Sequence, residues 1–301
     1  MKESTKRYAV VTGSNQGIGF GTVRQLASSG IMTLLTALDE KQGLEAVEEL
    51  NECGFSDLVV YHQLDVTDHA SVASLADFVK TQFGKLDILV LNNAGVSGTI
   101  KDPDAFRNAV AGAGMAKDGG GINWSEVMTQ TYDLAEVCVK TNYYGAREVT
   151  SALLPLLQLS DSPRVVNVTS SVGILEHIPN EWAKAVLSDV EHLTEERIEE
   201  VLSEFLKDFK EDMLEMKGWP PVPSAYTLSK AALTAYTRIM AKKYPNVCIN
   251  CVHPGFVNTD LTCNAGILTI DEGATSVVRL AMAPNGSPSG LYFNLQEVSP
   301  F

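Results

Sequence analysis

Residues 8–19 read Tyr8-Ala9-Val10-Val11-Thr12-Gly13-Ser14-Asn15-Gln16-Gly17-Ile18-Gly19. A short β-type run ends at Thr12-Gly13, and Phe20, Val23, Leu26 and Ala27 then recur at helical spacing. Glycines let a backbone turn tightly and approach a phosphate, and the following helix N-terminus offers N–H donors and a favourable dipole. The spacing is G-x-x-x-G-x-G rather than the commoner G-x-G-x-x-G, so the strand–turn–helix context carries the reading.

Outward from this turn the pattern repeats. Ile31–Leu35, Leu58–Leu64, Leu86–Leu91, Arg164–Val168, Val247–Val252 and Leu291–Phe293 read as further strands. Between them, Leu44, Val47 and Leu50, and Val72, Leu75, Phe78 and Val79, mark helix faces. Residues 131–159 read as one long helix, with further helices at Ala225–Tyr244 and Ile270–Met282. Strands alternating with helices give a parallel sheet covered on both faces, and the nearly continuous apolar strands fit that burial. The predicted fold is α/β: a doubly wound parallel sheet of Rossmann type, with residues 1–301 as one domain. Two segments interrupt the alternation. Residues 97–130 read as a loop with limited helix. Residues 174–222 read as a helical insertion, because Ile198, Val201, Leu202, Phe205, Leu206, Phe209 and Met213 form one apolar stripe. The insertion follows a strand's carboxyl end, so it is either a packing helix or a wall of the ligand pocket.

Composition excludes several classes. Lys and Arg total 23 against 37 Asp and Glu, a formal charge of -14, which repels nucleic acid and anionic lipid. No stretch approaches the roughly 20 apolar residues of a membrane span. The opening residues lack the long apolar core of a secretory signal, so the expected location is cytoplasmic. Cys248 and Cys251 form a C-x-x-C, but in a strand residues three apart face opposite ways, and no further ligand pair follows. No metal site is expected.

Further motifs fall at strand ends. Asp65-Val66 closes the third strand, where a carboxylate can accept from an adenine amino group. Asn92-Asn93-Ala94-Gly95 closes the fourth with small residues and amides. Asn167-Val168-Thr169-Ser170-Ser171 closes the fifth with hydroxyls, and Pro254-Gly255-Phe256-Val257-Asn258-Thr259 follows the sixth. Asn142 is a polar amide in an apolar helix. Tyr226 and Lys230 lie four apart and share a helix face. A free Tyr titrates near pH 10, and a neighbouring ammonium lowers that value, so this spacing suits acid/base work.

Together, T-G-x-x-x-G-x-G, D-V, N-N-A-G, Asn142, Ser170, Y-x-x-x-K and P-G resemble the short-chain dehydrogenase/reductase family over nearly the whole chain. The insertion, with Gly218-Trp219-Pro220 near its end, and phrases such as KTNYYG and SKAALTAYT are similar to its monomeric carbonyl-reductase branch in plants. The resemblance implies hydride transfer between a nicotinamide dinucleotide and a ketone or secondary alcohol, on a small terpenoid or alkaloid-like substrate. It makes Tyr226 the acid/base, Lys230 its pKa partner and ribose ligand, Ser170 the carbonyl donor and Asn142 the holder of a relay water. It gives the dinucleotide to Gly13, Asn15, Gln16, Gly17, Ile18, Gly19, Leu38, Asp65, Val66, Asn92, Ala94, Gly95, Pro254, Gly255, Val257 and Thr259, with Tyr226 and Lys230. It also implies a monomer, since the insertion occupies the region where other members pair helices.

The sequence departs from that branch in two places. Leu38 and Gln42 stand where relatives carry the arginines that clamp a 2′-phosphate, and Gln16 replaces a common Lys or Arg. Of NAD(H) and NADP(H), NAD(H) is therefore favoured, with Lys41 the one cation nearby and Asp39 and Glu40 adding repulsion. Leu91 makes the fourth strand one residue longer than usual, which predicts a bulge beside Asn92. An enone double-bond reductase and a catalytically silent dinucleotide-binding protein are the competing functions. The intact Tyr226 opposes both.

Overall fold

The computed structural model describes residues 6–91, 93–112 and 122–301. In chain order the first half runs β1 (Tyr8–Val11), α1 (Gly17–Ser28), β2 (Met32–Ala37), α2 (Glu40–Leu50), β3 (Val59–Gln63), α3 (His69–Phe83) and β4 (Ile88–Leu91). Then come β5 (Ile100–Lys101), α4 (Pro103–Gly112), β6 (Met128–Thr129), α5 (Tyr132–Val139), α6 (Ala146–Leu157) and β7 (Arg164–Val168). The chain continues with α7 (Glu181–Ser188), α8 (Glu195–Lys210), α9 (Ser224–Lys243), β8 (Cys248–His253), α10 (Ile270–Ala281), β9 (Tyr292–Asn294) and β10 (Glu297–Ser299).

Eight of these strands form one sheet in the order β10-β9-β8-β7-β4-β1-β2-β3. All pair in parallel except β10, which returns antiparallel on β9. Alternate strand residues go to opposite faces, as the period of two requires. Val10, Leu34, Leu89, Leu91 and Val165 join one core with residues of α3, α5, α6, α8 and α9. Val11, Leu35, Ile88, Val90 and Val166 join the other with residues of α1, α2 and α10. The chain leaves β1 toward β2 on one side and reaches β4 on the other. The ends of β1 and β4 are thus the switch point, where open α/β sheets bind ligands.

Three expectations change. The helix expected over 131–159 runs without a break from Tyr132 to Leu157, but it is not uniformly α: α5 and α6 are joined by a π-helical turn, Lys140–Gly145. The cause is close packing. A Cβ on Gly145 would lie 2.7 Å from Val66 Cγ2, and the Asn142 amide binds the chain beyond β4. Among the described residues β4 shows no bulge as far as Leu91; Asn92, beside which the bulge is predicted, lies outside them. Leu91 pairs with Asn167 in an unbroken register from Ile88, and it is buried, so the extra residue lengthens the strand. The loop over 97–130 also contains α4 and a two-strand ribbon of β5 with β6. Its residues 113–121 lie outside the described residues.

In the 174–222 segment, α8 lays Ile198, Val201, Leu202 and Phe205 against α5 and α9 with no exposure. A buried carboxylate fixes its far end. Asp208 accepts from Lys217 Nζ at 2.6 Å and from Trp219 Nε1 at 2.8 Å. Burial pushes the Asp208 carboxyl up, but the hydrogen bonds from Lys217 and Trp219 outweigh it and hold the group below its ordinary value. Its stabilisation is therefore present above the unfolded carboxylate pKa and lost as pH falls through the folded one. Asp208→Ala is expected to cost about 1–3 kcal/mol, because it strands the buried Trp219 indole N–H, while the half-exposed Lys217 keeps Glu204. Urea unfolding at neutral pH measures it, and an unchanged midpoint would refute the role.

Candidate active site

The crevice is built from the ends of β1 and β4. Ser14 Oγ donates to Val11 O and accepts from Thr36 N, tying the turn after β1 to β2. Gly13 has φ +57, and a Cβ there would lie 2.3 Å from Ala94 N, so only glycine permits this contact between the two strand ends. A Cβ on Gly19 would lie 2.5 Å from Gly13 O. Gln16, at the N-cap of α1, is extended and gives its helix no side-chain hydrogen bond. The first-turn N–H groups of Gly17, Ile18 and Gly19 are thus left for an anion, which a helix N-terminus favours. Both polar side-chain atoms of Asn93 are buried without a partner among the described residues. A glycine cradle, an uncapped helix start and an orphaned amide fit a dinucleotide. Asn92 lies outside the described residues, Gly95 is half-buried, and Asn93 was not singled out from the sequence.

Beyond the ends of β2 and β3 lies a cavity of about 500 Å³ lined by Leu38, His62, Gln63, Asp65, Asp68, Ser71 and Ser74. Asp65 Oδ1 accepts from Thr67 N and Thr67 Oγ1, both at 2.8 Å, which fixes the carboxylate. Val66 is buried beside Gly145. Leu38 is 66% exposed, and its carbonyl accepts from Gln63 Nε2. Gln42 Oε1 accepts from Asn15 Nδ2 at 2.9 Å, bridging the glycine turn to α2. Lys41 pairs with Glu45 at 3.7 Å on the exposed face of α2. Asp39 caps that helix, and the cavity lining holds two carboxylates and no Lys or Arg.

The segment after β8 closes the other side. Pro254 is buried, Gly255 has φ +89, and Val257 bridges to Leu268. Thr259 opens a tight turn whose Thr262 Oγ1 accepts from Thr259 N. A Cβ on Gly17 would lie 3.4 Å from Thr259 Cγ2, so this turn sits over the glycine turn.

At the centre, Lys230 and Tyr226 project from α9, with the Lys230 ammonium 5.4 Å from the Tyr226 ring centre. Lys230 is 2% exposed and donates to Val168 O at 3.0 Å. Ser170, two residues beyond β7, accepts from Val172 N and lies close enough to the Tyr226 phenol to pull its pKa down. Asn142 is fully buried in the π-helical turn, and its amide pairs with both the N–H and C=O of Val96. Gln130 Oε1 accepts from both N and Oγ of Ser224, the first residue of α9. Nothing in the sequence flagged that anchor.

The expected depression of the Tyr226 pKa is not met. Burial pushes the phenol above its ordinary value, the Ser170 hydrogen bond opposes this, and Cys138 adds to the rise. Burial also pushes Lys230 down, to about 7. Burial penalises the charged form of both groups, which the i,i+4 spacing alone could not reveal. Between pH 7 and the unfolded lysine value near 10.5 the unfolded chain binds the extra proton, so stability rises with pH across that window. Lys230→Met is therefore expected to raise the Tm of the ligand-free protein by a few degrees below pH 7, the gain shrinking toward pH 10.5. Calorimetry across pH tests this, and a gain independent of pH would refute it.

Comparison with known proteins agrees with this geometry. Residues 7–183 match the short chain dehydrogenase family. "Short-chain dehydrogenase/reductase 1" of Saponaria officinalis is 57% identical over 297 residues, covering 98% of this chain and 96% of that protein. The (+)-neomenthol dehydrogenase of Arabidopsis thaliana is 55% identical, with 100% of both chains covered. The solved structure of salutaridine reductase from Papaver somniferum superposes with a TM-score of 0.90 at 51% identity, covering 96% of this chain and 99% of that one. The chain belongs to the short-chain dehydrogenase family, whose members carry out nicotinamide-dependent oxidoreduction of ketones and alcohols.

Proposed function

We propose that the protein interconverts a ketone and a secondary alcohol on a cyclic terpenoid or alkaloid-like small molecule, with NAD(H) as the preferred dinucleotide. The observation that carries this reading is the convergence of Ser170 and Lys230 on Tyr226 at the switch-point crevice. Two relatives named for neomenthol and salutaridine support the substrate class. When bound, the dinucleotide supplies or accepts the hydride. Gly13, Gly17, Ile18 and Gly19 hold its pyrophosphate, while Asp65, Val66, Ala94 and Gly95 border the adenosine. Pro254, Gly255, Val257 and Thr259 flank the nicotinamide end, and Lys230 holds the ribose there. Ser170 donates to the substrate oxygen. Tyr226, kept neutral by burial, gives that oxygen its proton in reduction and is left as the phenolate. In oxidation the phenol must first pass its proton to water, so that the phenolate can accept the alcohol proton. Asn142 orients the water that resupplies the proton.

The preference for NAD(H) rests on the cavity around Leu38, which carries Asp65 and Asp68 and no cation to meet a 2′-phosphate. The Asn15–Gln42 bond occupies the position of one of the two expected arginines. Residues 174–222 are proposed as one wall of the substrate pocket within a single domain, in a cytoplasmic monomer. Among the described residues no helix is long and apolar enough to cross a membrane. The test is parallel fluorescence titration with NADH and NADPH, followed by turnover of a ketone and alcohol panel with product analysis. Tighter NADH and ketone–alcohol interconversion are expected. Tighter NADPH would reject the cofactor reading, and a reduced carbon–carbon double bond would reject the reaction.

A further inference from the structure

The two segments that meet at the crevice, the chain beyond β4 and helix α9, are joined by a buried junction that the tetrad of Asn142, Ser170, Tyr226 and Lys230 does not include. Asn142 Oδ1 accepts from Val96 N at 2.9 Å. Asn142 Nδ2 donates to Val96 O at 2.9 Å, to Ser229 Oγ at 3.0 Å and to Cys138 Sγ at 3.3 Å. An amide has two N–H groups, so one hydrogen serves Val96 and the other is shared between Ser229 and Cys138. Ser229 and Cys138 suit that sharing, with their oxygen and sulfur 3.8 Å apart. The Ser229 hydroxyl donates to Tyr226 O at 2.8 Å, one turn back on α9. Its proton is thereby committed, and it faces Asn142 as an acceptor. Cys138 in turn donates to Val96 O at 3.3 Å. Gly98, with φ +65, is pressed on this thiol, since a Cβ there would lie 2.8 Å from Cys138 Cβ.

We propose that Ser229 is a positioning residue that, with Cys138 behind it, fixes the Asn142 amide and the Val96–Gly98 segment relative to the helix bearing Tyr226 and Lys230. The proposal rests on the reading of Tyr226 and Asn142 given above. Three elements share one hydrogen-bond junction: the chain beyond β4, the π-helical turn and α9. Each of its polar atoms is paired, and such networks hold their members in one arrangement. Losing the Ser229 acceptor removes one of the Asn142 amide's buried partners and leaves the Cys138 sulfur as a weaker acceptor in its place. The amide, and with it the Val96–Gly98 segment, then relaxes away from Tyr226.

The test is steady-state kinetics of Ser229→Ala beside Asn142→Ala, the double variant and Tyr226→Phe. Ser229→Ala is expected to lower kcat about five- to tenfold, the effect of one neutral hydrogen bond, with substrate KM and dinucleotide Kd within about twofold. The double variant is expected to be no slower than Asn142→Ala, because both changes break the same contact. Parental kcat in Ser229→Ala, or losses that multiply in the double variant, would overturn the proposal. Should Ser229→Ala not fold, Ser229→Cys, a nearly isosteric and weaker acceptor, is expected to lose kcat severalfold, and a parental rate there overturns the proposal equally. Tyr226→Phe separates the two levels. If it alone abolishes turnover while Ser229→Ala does not alter it, the junction is wrong and the catalytic reading stands. If Tyr226→Phe turns over normally, both fall.

Discussion

Tyr226→Phe is expected to lower kcat by about three orders of magnitude, near 4 kcal/mol of barrier, while dinucleotide affinity changes by less than about threefold. The substitution keeps the partly buried ring and its contact with Lys230 and removes only the O–H. Burial holds that phenol neutral, so its part in ketone reduction is proton donation. Ser170 would remain to polarise the carbonyl, which leaves electrostatic stabilisation without a proton source. Steady-state turnover, paired with fluorescence titration of the dinucleotide, separates the lost chemistry from lost binding. Full turnover in Tyr226→Phe would remove the residue from the mechanism.

The second large effect concerns the dinucleotide. Introducing Leu38→Arg together with Gln42→Arg is expected to tighten NADPH by two to four orders of magnitude and NADH by less than tenfold. Each charge-assisted contact to a phosphate contributes about 1.5–3 kcal/mol, and each 1.4 kcal/mol is about a factor of ten. Leu38 is largely exposed, so a longer side chain there displaces no packing. Replacing Gln42 breaks its bond to Asn15, a cost of about 1 kcal/mol that two new contacts outweigh. Titration of the parent and the double variant with both dinucleotides decides it. A parent that already binds NADPH more tightly would mean that a cation elsewhere serves the 2′-phosphate.

Periodicity made the architecture legible because the sheet is covered on both faces, so its strands are unbroken apolar runs and its helices show one apolar stripe. The glycine turn was legible for a different reason: Gly13 and Gly19 sit where a Cβ would strike backbone within 2.6 Å, and sequence spacing records such a constraint directly. What escaped were features set by contacts between distant segments. The π-helical turn is one residue out of step with α5, a shift no window over 131–159 can detect, and its cause lies at Val66 and Val96. Leu91 looked like an insertion, yet the strand absorbs it in register with β7. The strands β5, β6 and β10 are too short to carry any period, whereas β9 is legible at Leu291–Phe293. Tyr226 and Lys230 were found from their spacing, but the sign of their electrostatics was not. It depends on how much water the completed pocket excludes.

The helix α8 has a consequence for how the catalytic helix is supported. It covers the outer face of α5 and α9 with residues of the same chain, so that support forms in a unimolecular step. Mass action does not touch it: dilution removes a neighbouring subunit but leaves an intramolecular helix in place. The backing of Tyr226 is thus as complete at trace protein concentrations as in a concentrated solution.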